Sequence, residues 1–334
     1  MRIKESVIKM GKFQNPIPTN EVVLADVFPM LKAYITNKAE NVPKKTLGPF
    51  KTDTSIYATP PKSGLRITWV GHSILLIEID GKRILTDPVW SDRASFSSFF
   101  GPKRFFKPPI ALEDLPPLDA VIISHDHYDH LDKNTIKYYA GKHTQFICSL
   151  KVGKYLKKWG IIENFITQMD WGESVMIGGH DCVVTALPAR HFSGRGIINR
   201  NTTLWSSFVI KGTRHNIFFG ADSGWFPGFE DIGNAYGPFD LAILEIGAYG
   251  QYWPDIHMGP DNASNANMAL KGKIMMPIHW GTFNLALHPW YEPIERLTGY
   301  GKIKNIKLFI PKPGEPTEVK EYNSEWWKPF LSPL

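Results

Sequence analysis

Residues 124–131 read Ser-His-Asp-His-Tyr-Asp-His-Leu, which places three His and two Asp within six positions, from His125 to His130. Imidazole and carboxylate together form the donor set of Zn²⁺ and comparable transition ions. On a continuous helix His125 and His127 would face different ways, because residues two apart are not neighbours there. At a strand end followed by a tight turn the same side chains converge on one point. A lone His is ordinarily a solvated or structural polar residue. Five ligand-type residues directly after an apolar strand are a different case, and they point to a metal site.

Three further residues share that placement. His191 follows the apolar run 181–187, Asp222 follows 216–220, and His279 follows 274–278. Taken singly, each reads as a structural polar residue. Recurring past the ends of four strands, they read as one sheet edge lined with ligands.

The elements that must position them are mostly strands. Runs 66–70, 73–79 and 82–86 are short, apolar and β-branched, and Asp80-Gly81 between the last two signals a hairpin. Run 119–124 reads as a buried strand and 131–140 as a helix. Further strands are expected at 145–148, 174–177, 181–187, 204–210, 216–220, 241–246 and 274–278, with helices at 150–158, 261–270 and 292–300. Many strands with interspersed helices suggest two sheets with helices outside them. Residues 1–63 carry Pro and Lys with weak periodicity and read as an arm or partial cap, leaving 64–334 as the catalytic domain.

Composition narrows the class. The chain has 334 residues, 43% of them hydrophobic and 21% charged, which excludes a mainly disordered polymer. Its two cysteines, Cys148 and Cys182, cannot build a disulfide framework or a Cys-rich zinc site, and both sit in apolar contexts that suit buried free thiols. A net charge of +6 favours anionic partners: phosphates, lipid head groups or nucleic acid. No run reaches the roughly 20 apolar residues of a membrane span, and the charged N-terminus lacks the apolar region of a secretory signal. A cytoplasmic protein, with peripheral membrane contact as an option, is the expectation.

The pattern resembles the metallo-β-lactamase superfamily. Its H-x-H-x-D-H motif is matched by His125, His127, Asp129 and His130, and its later ligands by His191, Asp222 and His279. Asp126 is not a ligand position of that motif. Gly71-His-Ser, Thr86-Asp-Pro-Val-Trp-Ser-Asp-Arg, Gly101-Pro-Lys-Arg, Pro188-Ala-Arg-His-Phe-Ser-Gly-Arg and His279-Trp-Gly-Thr-Phe resemble the N-acylphosphatidylethanolamine-hydrolysing phospholipase D branch. The resemblance implies a four-layer αββα sandwich with its site at one edge. It implies two Zn²⁺ or other divalent ions, one on His125, His127 and His191, the other on Asp129, His130 and His279, with Asp222 bridging. It implies a phosphodiesterase in which a hydroxide between the ions attacks phosphorus, releasing N-acylethanolamine and phosphatidic acid. A homodimer is a further implication. Asp129, Asp222 and His257 are the expected catalytic residues.

Other residues carry open readings. His72 and His257 match positions that recur in the branch, and each either orients a ligand, contacts the phosphate or is structural. His288 is a weaker candidate, and His143, His180 and His215 read as surface residues. Arg190, Arg195 and Arg200 surround His191 and suit either a phosphate oxygen or a structural salt bridge. The segment 95–110 mixes five Phe with Lys103, Arg104 and Lys107. That composition suits an anionic lipid surface, a stacked nucleic-acid strand, a pocket wall or packing on its own sheet. Three functions therefore compete: the phospholipase D-like enzyme, a hydrolase of a lactone, sugar or cyclic phosphate or nucleic acid on the same metals, and a non-catalytic lipid- or nucleic-acid-binding protein. The complete ligand set disfavours the last. The diiron oxygen-reducing proteins of the superfamily place Glu where this chain has His127, which favours hydrolysis.

Overall fold

A computed structural model describes residues 5–20, 24–179, 181–196 and 198–331. His180 lies outside the described residues. Two sheets face each other. The first has seven strands in the order 317–318, 65–71, 74–79, 82–86, 120–123, 145–149 and 166–169. The second has six, in the order 275–278, 241–245, 216–219, 207–211, 182–187 and 174–177. In each, an antiparallel half built from hairpins passes into a parallel half, where 82–86 meets 120–123 and where 216–219 meets 241–245.

Strand periodicity explains the layers. In the first sheet Ile67, Trp69, Leu75, Ile77, Ile84, Ile122 and Ile147 face the central core between the sheets. Their neighbours Val70, Ile74, Leu76, Leu85, Val121, Ile123 and Phe146 form the outer core with Ile136 and Leu156 of helices Lys133–Tyr138 and Gly153–Lys158. These strands are buried on both faces, so they read as continuous apolar runs rather than as alternation. The second sheet is covered by helices Gly228–Tyr236, Gly259–Ala269 and Glu292–Lys304, whose Phe229, Ile232, Ala263, Ala266, Ile294 and Leu297 are buried in one continuous apolar cluster with its strands. The result is the expected αββα sandwich. Cys148 and Cys182 are buried free thiols.

The hairpin forms as its residues require: Asp80 and Gly81 both have positive φ, 46° and 87°. Some element bounds differ from the sequence expectation. Helix 131–140 shortens to Lys133–Tyr138, because Asp132 caps it by accepting from the amides of Asn134 and Thr135. Helix Gly228–Tyr236 escapes sequence reading because two glycines lower its propensity. The structure supplies the reason for one of them, since a Cβ on Gly233 would stand 2.1 Å from the Ala269 carbonyl oxygen of the adjoining helix. Strand Ile166–Met169 is a four-residue, half-exposed edge, too short to show periodicity.

The segment before residue 64 contributes to several layers. Leu47 and Phe50 enter the central core, and Phe13 packs with Trp171, Ala189, Leu204 and Trp205. It also carries helix Leu24–Thr36. Among the described residues, no helix is long and apolar enough to cross a membrane.

Candidate metal centre

The seven proposed ligands and two further histidines meet where strands 120–123, 182–187, 216–219 and 275–278 end. Two of those ends turn through residues with left-handed backbone, Ala221 at φ 48° and His279 at 62°, as do the neighbouring ends of strand 82–86, through Asp87 at 37°, and of strand 65–71, through His72 at 56°. Such conformations are costly outside glycine and cluster where side chains must be re-aimed. Gly247 lets the end of strand 241–245 press against that of 275–278, since a Cβ there would stand 2.0 Å from the His279 carbonyl oxygen.

Two ligand groups result. His125, His127, His191 and Asp222 form one; His72, Asp129, His130 and His279 form the other. Within each group the ligand atoms lie within 4.8 Å of one another. Asp222 joins the two, with Oδ2 3.9 Å from His125 Nε2, 3.6 Å from His191 Nε2, 3.1 Å from His130 Nε2 and 3.2 Å from His279 Nε2. Asp129 Oδ2 lies 3.5 Å from His130 Nε2 and 3.3 Å from His279 Nε2.

Hydrogen bonds behind the rings set which nitrogen faces inward. Ser124 Oγ donates to Asp87 Oδ2 at 2.7 Å, so its lone pair accepts from His125 Nδ1 at 2.9 Å. His130 donates through Nδ1 to Asp87 Oδ2 at 2.8 Å, and His191 through Nδ1 to the Ile256 carbonyl at 2.9 Å. Each bond leaves Nε2 turned into the cluster, the arrangement by which partners behind a metal-bound His fix its tautomer. His72 donates through Nε2 to Asp129 Oδ2 at 2.9 Å.

The donor set fits two divalent ions. His130 Nε2, His279 Nε2 and Asp222 Oδ1 are buried and make no hydrogen bond, although carboxylate oxygens stand nearby. Leaving such groups unpaired is expensive, and a cation between them satisfies them all. The electrostatics of the metal-free cluster agree. Burial holds His125 and His191 well below the ordinary imidazole range, and pushes His127 down to about 4 and His72 to about 3. Burial also opposes charge on His130 and His279, but the carboxylates of Asp222 and Asp129 outweigh it, raising His130 well above its usual value and His279 to about 10. Burial pushes Asp129 and Asp222 upward, yet the field of His130 holds both well below the usual carboxylate range.

Residues 82–280 match the beta-lactamase superfamily domain. The chain belongs to the metallo-β-lactamase superfamily. Within that superfamily its relatives place it in the branch of the N-acylphosphatidylethanolamine-hydrolysing phospholipase D proteins. It is 40% identical over 247 residues to "N-acyl-phosphatidylethanolamine-hydrolyzing phospholipase D 1" of Caenorhabditis elegans, covering 71% of this chain and 69% of that one. An uncharacterized protein of Mycobacterium tuberculosis is 45% identical over 273 residues, 80% of this chain and 72% of its own. Among solved structures, Igni18, a metallo hydrolase of Ignicoccus hospitalis, superposes with a TM-score of 0.57 at 23% identity, over 77% of this chain and 98% of its own. The family match, the relatives and the ligand clusters together make this chain a metal-dependent hydrolase of that superfamily.

Two residues of the site were not singled out from sequence. Asp87 holds both Ser124 and His130, and Glu245, fully buried, accepts from His257 Nδ1 at 3.0 Å and from the Met258 amide at 2.9 Å. Their signal was available: each is a lone acid at the end of an apolar strand. His257 offers a ring nitrogen within 4.8 Å of ligand atoms of Asp222 and His279. His288 stays apart from these clusters, its ring stacked on Tyr249 at 4.4 Å. His143 is exposed as expected, whereas His215 is half-buried and bonded to Asp80, which corrects its assignment to the surface. Arg190 pairs with Asp255 at 2.8 Å, a structural salt bridge. The five Phe of segment 95–110 divide: Phe106 is buried and Phe105 half-buried, while Phe96, Phe99 and Phe100 are 83, 80 and 74% exposed.

Proposed function

We propose that this chain is a binuclear metal-dependent phosphodiesterase of phospholipase D type, acting on N-acylphosphatidylethanolamine-like lipids. The observation that carries the reading is the pair of ligand groups joined by Asp222, in a chain 40% identical to a protein bearing that activity in its name. Zn²⁺ is the ion we favour, since imidazole and carboxylate ligands suit it. Held by these residues, two divalent ions would lower the pKa of a bound water to near 7 and offset charge on phosphoryl oxygens.

The chain's own residues supply the rest. His125, His127 and His191 present neutral nitrogens on one side, and His130, His279 and Asp129 face the other, with Asp222 between. His72 keeps Asp129 oriented. His257, held by Glu245 and close to the ligand atoms of Asp222 and His279, would give a proton to the leaving oxygen. Phe96, Phe99 and Phe100, beside Lys103 and Lys107, suit peripheral contact with an anionic bilayer that presents the lipid.

Purified protein should release phosphatidic acid from vesicles containing N-acylphosphatidylethanolamine, lose the activity to a chelator and regain it with Zn²⁺. A nitrophenyl phosphodiester and a lactone serve as comparison substrates. Turnover of the lactone with no phosphodiester cleavage would overturn the proposal.

A further inference from the structure

Most ligands at the centre have a hydrogen bond of their own behind them: His125 has Ser124, His130 has Asp87, His191 has the Ile256 carbonyl, and Asp129 has His72. His127 does not. Its Nδ1 faces His125 and His191, and its Nε2 is buried without a partner. The His127 carbonyl accepts from the His130 and Leu131 amides, at 3.1 and 2.8 Å, but no bond of its own orients the His127 ring, so its aim depends on what holds the turn as a whole.

Arg195 is placed to do so. Its Nη1 donates to the carbonyls of Asp126, at 2.9 Å, and Leu131, at 2.7 Å, the two ends of the ligand turn. Its guanidinium lies 3.8 Å from the centre of the Tyr128 ring, and Tyr128 sits between His127 and Asp129. The Tyr128 hydroxyl donates back to the Arg195 carbonyl at 3.0 Å, and the Gly194 amide donates to Asp126 Oδ1 at 2.7 Å. The segment carrying Arg195 is itself anchored. The His191 amide donates to Asn15 Oδ1 at 2.9 Å, and Ser193 Oγ to the Thr203 carbonyl at 2.6 Å. A planar fork that bonds two carbonyls and stacks on a ring is a task for which Arg and Lys are not interchangeable.

We infer that Arg195 is a positioning residue: it clasps the turn of the first sheet to the segment that follows His191 of the second, and so sets the distance between His127 and His191 at the ion position they share with His125. The inference rests on reading the site as a two-ion centre. It makes an unequal prediction for the two positions. Asp129 keeps its bond to His72 when the clasp is removed, so the position held by Asp129, His130 and His279 is spared. His127 has no substitute.

The test is a stepwise titration of chelator-stripped protein with Zn²⁺ against a chromophoric chelator, repeated with Co²⁺ to follow its absorption. His191→Ala and His279→Ala identify which binding event belongs to which position. Arg195→Met should weaken the event lost in His191→Ala by about 10–100-fold, the usual cost of removing a partner behind a metal site, and leave the event lost in His279→Ala unchanged. Arg195→Lys should show a smaller loss at the same position. If Arg195→Met does not fold, as judged by circular dichroism of the stripped protein, Arg195→Lys and Tyr128→Leu carry the comparison. Unchanged affinities at both positions, or equal losses at both, overturn the clasp. Wild-type protein that binds neither ion overturns the two-ion reading itself, and the clasp with it.

Discussion

Loading the metal-free protein releases protons, and their number follows from which imidazoles are charged beforehand. His125 and His191 lie well below their usual range and His127 at about 4, so all three are neutral at pH 7.5. Asp129 and Asp222 are ionised. His130 and His279 are protonated, because Asp222 and Asp129 outweigh the burial that opposes their charge. A ligand must be deprotonated to bind a metal, so these two rings lose about two protons per chain, and a bound water whose pKa falls to near 7 adds up to about one more. Stripping His279 alone, at about 10, costs about 3 kcal/mol at pH 7.5. Affinity at the His130–His279 position should therefore rise with pH, while the His125–His127–His191 position changes little above pH 6. Calorimetric titration with Zn²⁺ in buffers of different ionisation enthalpy counts the protons. Release of fewer than one per chain at pH 7.5 would show that the charge assignment of the cluster is wrong.

Asp222→Ala removes the ligand common to both groups and should lower activity by more than about a hundredfold, with metal content below that of the wild type; unchanged content and turnover would exclude the bridging role. Asp87→Asn takes away the acceptor of His130 Nδ1 and should weaken metal binding by about 10–100-fold, measured by chelator competition. In the stripped protein the stability attached to His279 is present below about pH 6.5 and lost as pH rises towards 10. His72 and His127, neutral in the fold, lose stability as pH falls below about 6.5, where the unfolded chain takes up their protons. Its melting temperature should accordingly peak near neutrality, and a value still climbing from pH 7 to 10 contradicts this. Phe99→Ser combined with Phe100→Ser should slow hydrolysis of vesicle lipid but not of a soluble phosphodiester; equal effects on both would remove the loop from the membrane. Burial pushes the Cys148 thiol up to about 12 and Cys182 to about 11, so a thiol reagent at pH 8 should titrate neither until denaturant is added.

The ligand set was legible because its signal is local. An apolar strand followed by His or Asp repeats at 125, 191, 222 and 279, and each instance is visible within about ten residues. Buried strands were legible for the same reason, as short apolar runs bounded by turn residues. The features that escaped depend on partners far along the chain. Helix Gly228–Tyr236 looks like a poor helix until Gly233 is seen against the Ala269 carbonyl. The five Phe of 95–110 are chemically alike, and only packing separates the buried Phe106 from the exposed Phe99.

By itself the sequence determined which atoms are available to hold ions and that they stand just past strand ends, since residue type and hydrophobic period are properties of the chain. Tertiary structure alone decided how those atoms are aimed and charged. Which nitrogen of each ring faces inward depends on Ser124, Asp87 and Ile256. The protons on His130 and His279 depend on carboxylates brought in by the second sheet and the turn. The hold on the 125–131 turn depends on Arg195, more than sixty residues away. Ser124 and Asp129 are chain neighbours of the rings they act on, but Asp87, Ile256, Asp222 and Arg195 are distant in sequence, and the contacts of the last two exist only once the two sheets have closed on one another.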